Sequence, residues 1–211
     1  MFTRVVPALL MVGMAASASA LEIQNGSFES GDFSGWVASP IDGTTTVAIS
    51  ESGFTATDGA YFANLSADAV LQSGAQTWVA GEQLTFDWNF LAGEDLVEWE
   101  TYRNDYSVFT VLNNDGNTVD TVELVDLLDL FSTGEESTGW GSYTYTFATA
   151  GSGSFAFGVF NMGSTRGDSL LLIDNVEVSG GVTTPVPEPA TLALLAMGLA
   201  GLGFSRRLVA R

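Results

Sequence analysis

The stretch QLTFDWNFL, Gln83–Leu91, decides the fold. Its apolar side chains recur at every second position from Leu84 to Phe90, with polar residues between most of them. This period of two is that of a β-strand with one buried face, whereas an amphipathic helix would repeat every 3.6 residues. Aromatic residues also favour a strand, because they pack well on a pleated surface.

Further strand patterns follow on both sides of this stretch. Tyr106–Leu112 and Thr118–Leu124 flank Asn113–Asn117, whose Asp-Gly pair is typical of a hairpin turn and outweighs a resemblance to a calcium loop. The only helical pattern is weak and lies at Glu123–Phe131. The other predicted strands are Glu22–Gln24, Ser27–Glu29, Thr45–Ser50, Ala60–Leu65, Tyr143–Ala148, Ser154–Asn161 and Leu170–Val178. Many short strands at this spacing predict an all-β, antiparallel sandwich.

The charge of the chain is strongly negative. It has 25 acidic and 6 basic residues, for a net charge of −19. All six basic residues are arginines, and only Arg103 and Arg166 lie in the predicted β-domain, residues 21–179. Such a surface repels phosphate backbones, which argues against nucleic-acid binding. It keeps an exported protein dispersed and would attract divalent cations.

The residue types present restrict the chemistry of the domain. The chain contains no cysteine, histidine or lysine, so thiol and imidazole chemistry are excluded. Carboxylates remain, and Glu98 and Glu100 would lie about 7 Å apart on one strand face. An inverting glycosidase uses carboxyls about 6.5–9.5 Å apart. Paired carboxylates on one strand more often form a solvated face, so glycosidase activity is only a third hypothesis.

Both ends of the chain are apolar. Met1–Arg4 is a short, positively charged start, Val5–Met14 is apolar, and Ala18-Ser19-Ala20 fits a cleavage site. This order predicts a secretory signal peptide over residues 1–20. At the other end, residues 180–185 form a predicted linker. The uncharged run Ala190–Phe204 would span only about 22 Å as a transmembrane helix, against about 30 Å of hydrocarbon, so it predicts a mismatched and temporary anchor.

Residues 186–211 resemble the PEP-CTERM sorting signal of Gram-negative bacteria. The matching features are Pro187-Glu188-Pro189, the apolar helix and the pair Arg206-Arg207. The arginines also place the C-terminus in the cytoplasm. The resemblance implies recognition by exosortase, cleavage near Pro-Glu-Pro, and a final place at the cell surface or outside the cell. It also implies an association with exopolysaccharide and biofilm. A plain membrane anchor would leave the Pro-Glu-Pro unexplained.

Three motifs of the domain resemble the jelly-roll sandwich of carbohydrate-binding modules and galactose-binding-like domains. They are NGSFESGDFSGW at Asn25–Trp36, TDGAY at Thr57–Tyr61 and DSLLLIDNVEV at Asp168–Val178. In such modules an opening N-G-x-F-E…G-W pairs with a closing strand that ends I-D-N-V. The resemblance supports the fold more than the function.

The tryptophans divide into core and surface candidates. Trp36 and Trp88 share strand faces or motifs with apolar residues and are predicted to be core. Trp99, with Tyr102 beside it, and Trp78 lie in polar or turn contexts, so they are the candidate platforms for a sugar ring. The alternative is that they only cover loops.

The jelly-roll resemblance also implies a structural Ca²⁺ ion that ties the first and last strands together. The matching ligands are Glu29, the Ser27 carbonyl and Asp174. Hard oxygen ligands suit calcium, and two carboxylates without a cation would repel each other. The alternative is that Glu29 is solvated and that Asp174 accepts main-chain hydrogen bonds.

Three functions follow in order of preference. The first is a non-enzymatic, exosortase-sorted protein of the cell surface or extracellular matrix. The second is a surface carbohydrate-binding module, and the third is a carboxylate glycosidase.

Overall fold

A computed structural model of the chain describes residues 23–41, 43–66, 68–93, 105–162 and 167–180. They belong to one compact unit. The strands are β1 (Trp36–Pro40), β2 (Thr44–Ala48), β3 (Phe62–Ser66), β4 (Ala69–Ser73), β5 (Gln76–Trp78), β6 (Glu82–Leu91), β7 (Tyr106–Asn113), β8 (Thr118–Asp126), β9 (Gly141–Thr146), β10 (Gly151–Phe160) and β11 (Leu170–Gly180), with one helix, α1 (Leu127–Thr133).

The strands form two antiparallel sheets. The six-stranded sheet has the order β1-β4-β10-β7-β8, with β5 paired to β10 beside β4. The five-stranded sheet has the order β2-β3-β11-β6-β9. All registered pairs are antiparallel. The predicted all-β sandwich is therefore confirmed.

Aromatic side chains join the two sheets across the core. Phe86 of β6 meets Phe157 of β10 at 4.8 Å and Phe109 of β7 at 5.1 Å between ring centroids. All three rings are fully buried. Burial of one such side chain contributes about 1.5–3 kcal/mol, so these rings supply a large share of the stability of a single domain.

A second, smaller apolar cluster lies on the outer face of the five-stranded sheet. Phe62, Leu91 and Leu172 form its buried centre. The side chains of Phe54 and Trp140, which lie outside the strands, pack over it. This part of the sheet is therefore buried on both faces, which explains why β11 begins with four apolar residues and β6 ends with Phe90 and Leu91.

Several local predictions can be compared with the structure. The hairpin turn at Asn113–Asn117 is confirmed, because the Asn113 Oδ1 atom accepts hydrogen bonds from the amides of Asp115 and Asn117 at 3.0 and 2.9 Å. The predicted helical pattern begins too early, since its first four residues belong to β8. The opening residues 24–27 form turns rather than a strand, and Asn25 has a φ of 53°.

No helix in the described ranges is long and apolar enough to cross a membrane. The predicted signal peptide, linker and transmembrane helix lie outside those ranges.

We expect Phe86→Ala to lower the free energy of unfolding by about 3–5 kcal/mol, because it leaves a cavity between Phe109 and Phe157. Urea denaturation of the purified protein measures this. Val37→Ala is the control, since Val37 is 59% exposed on the outer face of β1. Equal losses in the two variants would contradict the assigned core.

Candidate functional site

The first candidate site is the junction between β11 and the loop at residues 57–61. The Asp174 Oδ2 atom accepts hydrogen bonds from the Thr57 amide at 2.7 Å, the Asp58 amide at 3.0 Å and the Thr57 hydroxyl at 3.1 Å. The Oδ1 atom accepts from the Asn175 amide at 2.7 Å. Asp174 is fully buried, at 0% exposure. Its carboxylate thus ties the loop to the last strand.

Glu29 holds the same loop from the other side. Its Oε1 atom accepts hydrogen bonds from the amides of Ala60 and Tyr61, both at 2.8 Å. The Ser27 hydroxyl donates to Asp58 at 2.7 Å. The three residues predicted to bind calcium therefore all meet on one loop.

The junction partly fits a calcium ion. The main-chain amides already provide partial positive charge to both carboxylates, so the repulsion expected between them is reduced without a cation. In the described ranges, no group of three or more acidic side chains could hold a metal together. The Glu29 Oε2 atom accepts no hydrogen bond from the described residues. It is a hard oxygen still available to an ion.

Burial affects the titration of Asp174. Loss of hydration raises the pKa of its carboxyl above the usual value. Hydrogen bonds from Asp58, Asn175 and Thr57 lower the pKa, but their effect is smaller than that of burial. On the exposed turn before β1, Asp32 behaves in the opposite way. Hydrogen bonds from Ser30 and Ser34 lower its pKa to about 2.

The second candidate site is a cavity of about 420 Å³ at the end of the outer face of the five-stranded sheet. We call it the end pocket. Its apolar lining is Phe54, Leu91 and Leu170, and the Ala92–Gly93 segment follows Leu91 along one wall. Its polar lining is Ser52, Ser137, Glu136 and Asp168. A volume of this size falls in the range of small-molecule sites, about 300–1,000 Å³.

A buried polar network holds one wall of the end pocket. The Gly93 amide donates to the Ser169 hydroxyl at 3.2 Å, and that hydroxyl donates to the Asp105 carboxylate at 2.7 Å. The second oxygen of Asp105 accepts from the Met162 amide at 2.9 Å. Gly93 also passes so close to the Asp168 backbone that any β-carbon there would overlap it. This wall is therefore fixed by glycine and by a satisfied carboxylate.

The opposite walls come from two short segments. The Ala92 amide donates to the Glu136 carbonyl at 2.9 Å, and Leu91 forms a bridge with Ser137. A tight turn brings Phe54 over the sheet, since Glu51 and Phe54 exchange main-chain hydrogen bonds at 3.0 and 2.7 Å. The pocket is thus assembled from four separate parts of the chain.

Within the described ranges, the charge that lines the end pocket is of one sign. Glu136 and Asp168 are the charged residues among the described lining. Asp168 accepts one hydrogen bond, from Asn161 at 3.4 Å. All six arginines lie outside the described residues, so the described part of the domain carries acidic side chains and no basic one.

The predictions of which tryptophans are buried and which are exposed have different outcomes. The prediction that Trp78 is an exposed platform is wrong: it is 5% exposed and its ring stacks on Phe147 at 4.7 Å. Trp36 is core, as predicted, at 7% exposure, and Trp88 packs against the core while half-buried. Trp99 lies outside the described residues.

The remaining predicted site residues also lie outside the described ranges. They are Tyr102, the glutamates Glu98 and Glu100, and the sorting residues Pro187, Glu188, Pro189, Arg206 and Arg207.

Sequence reasoning missed the end pocket. Phe54, Glu136 and Asp168 are far apart in the chain, and the one motif among them, which begins at Asp168, indicates the fold and not a site. Only the pairing of the strands brings them together.

Comparison with known proteins identifies one end of the chain. Residues 185–207 match the PEP-CTERM protein-sorting motif. The PEP-CTERM assignment made from Pro187-Glu188-Pro189 and the residues after it is therefore confirmed. No curated protein gives a significant match.

The solved structures that resemble the chain are β-domains of low sequence identity. TmCBM61, solved in complex with beta-1,4-galactotriose, has 21% identity and a TM-score of 0.49, over 77% of this chain and 100% of its own. A cleaved adhesin domain of Lys-gingipain from Porphyromonas gingivalis has 17% identity and a TM-score of 0.48, over 77% and 99%. The CBM22-1 xylan-binding domain from Paenibacillus barcinonensis has 13% identity and a TM-score of 0.39, over 77% and 96%. Likeness at this level says nothing about what this chain binds.

The opposite pKa shifts of Asp174 and Asp32 predict opposite effects of pH on stability. A raised pKa gives stability that is present below the unfolded value of 3.8 and is lost as pH rises through the folded pKa. A lowered pKa gives stability that is present above 3.8 and is lost as pH falls through about 2. In EDTA, carboxyl NMR titration should find Asp174 above 3.8 and Asp32 near 2. An Asp174 midpoint below 3.8 would contradict the effect of burial.

Proposed function

We propose that the chain is an exported protein that exosortase sorts to the cell surface or the extracellular matrix. The PEP-CTERM motif at residues 185–207 is the observation that supports this. The signal-peptide pattern at residues 1–20 supplies the export that sorting requires. The short transmembrane helix predicted at residues 190–204 would hold the protein in the inner membrane of a Gram-negative bacterium until it is processed.

Replacing Glu188 tests the sorting step. Glu188 is the only charge between the two prolines, so it is a natural recognition point for an enzyme at the membrane surface. We expect Glu188→Ala to accumulate as the uncleaved form, and Glu177→Ala, on the exposed side of β11, to be processed normally. Immunoblots of membrane and medium fractions measure both.

Deleting the exosortase provides the second arm of that experiment. The wild-type chain should then persist uncleaved in the membrane. Normal processing in the deletion strain would contradict the proposal, whatever the behaviour of the Glu188→Ala variant.

We infer that the domain associates with extracellular polysaccharide through the end pocket and does not cleave it. The supporting observation is the combination of an apolar lining with hydroxyl and carboxylate groups in one cavity of about 420 Å³. A sugar ring needs both an apolar surface for its C–H face and polar partners for its hydroxyls. On sequence grounds alone, Trp99 and Tyr102 are proposed as further aromatic contacts. The glycosidase alternative depends on Glu98 and Glu100.

We expect Phe54→Ala to weaken binding to the polysaccharide of the producing strain about fivefold or more, by analogy with the loss of an aromatic stacking partner. Isothermal titration with purified polysaccharide measures the change. Val37→Ala is the control on the other sheet, and thermal melting confirms that each variant is folded. Unchanged affinity in Phe54→Ala, or release of reducing ends from the polysaccharide, would contradict the proposal.

We also propose that the junction of Glu29, the Ser27 carbonyl and Asp174 binds a structural calcium ion. These residues would supply hard oxygens, and the ion would relieve the cost of burying the Asp174 carboxylate. The Glu29 Oε2 atom, which accepts no hydrogen bond from the described residues, supports the proposal.

Calcium at 100 times its dissociation constant should raise the free energy of unfolding by about 2.7 kcal/mol. Asp174→Ala should abolish that increment, while Glu177→Ala should keep it. Thermal melts in calcium and in EDTA measure the difference. Identical wild-type melts in the two conditions would rule out the calcium site.

A further inference from the structure

The charge and lining of the end pocket limit the class of sugar that fits it. The described residues that line it include two carboxylates, Glu136 and Asp168, and no basic side chain. A uronic acid or a sulfated sugar would place an anion beside these carboxylates. Because like charges in close contact repel, such a glycan would be rejected unless a cation lay between them.

The rest of the lining argues for a sugar rather than for a bare cation. Phe54, Leu91 and Leu170 provide an apolar surface, and Ser52 and Ser137 provide hydroxyl groups. A metal ion uses none of the apolar area. A hexose ring uses both, since its C–H face is apolar and its hydroxyls form hydrogen bonds.

Specific buried contacts also hold the walls of the end pocket in place. The buried network of Asp105, Ser169 and Gly93 fixes the wall that carries Asp168.

We propose that the end pocket selects polysaccharides whose hexosamine units carry free amines. The ammonium group of such a unit would donate charge-assisted hydrogen bonds to Glu136 and Asp168 while its ring lies against Phe54 and Leu170. This inference rests on the proposed association with polysaccharide and names the class of sugar. The net charge of −19 favours the approach of a cationic polymer from a distance, and the pocket provides the specific contact.

Three trisaccharides test this inference: one of glucosamine, one of N-acetylglucosamine and one of a uronic acid. Short ligands keep the general attraction between a polycation and an acidic protein small, and 0.15 M salt screens what is left. Isothermal titration in EDTA, with the protein at pH 6, measures each affinity. We expect the glucosamine trisaccharide to bind about tenfold more tightly than its acetylated form, and the uronic acid to be weakest.

The variants Glu136→Gln and Asp168→Asn remove charge with little change of shape. Each should weaken glucosamine binding about two- to fivefold, as expected for a partly exposed ion pair, and leave N-acetylglucosamine binding unchanged. Glu177→Gln is the matched control, because it removes one charge on β11 away from the pocket. If Asp168→Asn does not fold, Glu136→Gln alone is compared with the control Glu177→Gln.

Each result has a defined meaning. Equal binding of the amine and acetyl forms, a preference for the uronic acid, or equal losses in Glu136→Gln and Glu177→Gln would overturn the inference. In those cases, retained binding of the native polysaccharide would leave the proposed association with polysaccharide intact. If neither the trisaccharides nor the native polysaccharide bind, both proposals are wrong.

Discussion

The pairing of β6 with β11 is the constraint on which the rest of the structure depends. The two strands are in register from Leu91 opposite Leu170 to Glu82 opposite Gly180, with one irregularity between Asp174 and Glu177. The inner faces of this pair carry Phe86 and Ile173 into the main core, and the outer faces carry Leu91 and Leu172 into the second cluster. Because β6 and β11 are central in their sheet, a slip of one residue would exchange both faces at once.

Both candidate sites are consequences of that pairing. Asp174 is the last residue paired before the irregularity, and its carboxylate lies against the loop at residues 57–61, where main-chain amides surround it. At one end of the pair, Leu91 and Leu170 form part of the lining of the end pocket. The proposed calcium site therefore lies near the middle of the two strands, and the proposed sugar site lies at one end. Stabilising the junction with an ion would stiffen β11 without occupying the pocket.

The outer face of the other sheet offers a contrast. There Tyr106 and Phe160 stack on each other at 5.3 Å, and the central strand presents small residues such as Ala156. The sheet with the second cluster is the better candidate because its covering segments add hydroxyls and carboxylates beside apolar side chains.

The local sequence pattern is enough to predict a strand whose apolar residues follow one clear periodicity. The alternation in Gln83–Leu91 identified β6, and the Asp-Gly turn identified the hairpin of β7 and β8. β1, β4 and β5 were not predicted, because they are short and contain few β-branched or aromatic residues in alternation.

Contacts between residues far apart in the sequence determine the features that the local sequence pattern does not predict. Trp78 lies beside a turn and was expected to be exposed, but β5 pairs with β10 and brings it against Gly151. A β-carbon at Gly151 would lie 2.8 Å from the indole nitrogen, so the glycine is what leaves room for the buried ring. The end pocket is a similar case, because its lining comes from segments that meet only in the folded sheet.

Binding at the end pocket is tested most directly by an amide NMR titration of the isotopically labelled protein with oligosaccharides from the polysaccharide of the producing strain. We expect the largest shift changes to fall on Gly93, Ser137 and Leu170, around the end pocket. Changes confined to the outer face of the six-stranded sheet, or no changes at saturating oligosaccharide, would contradict it.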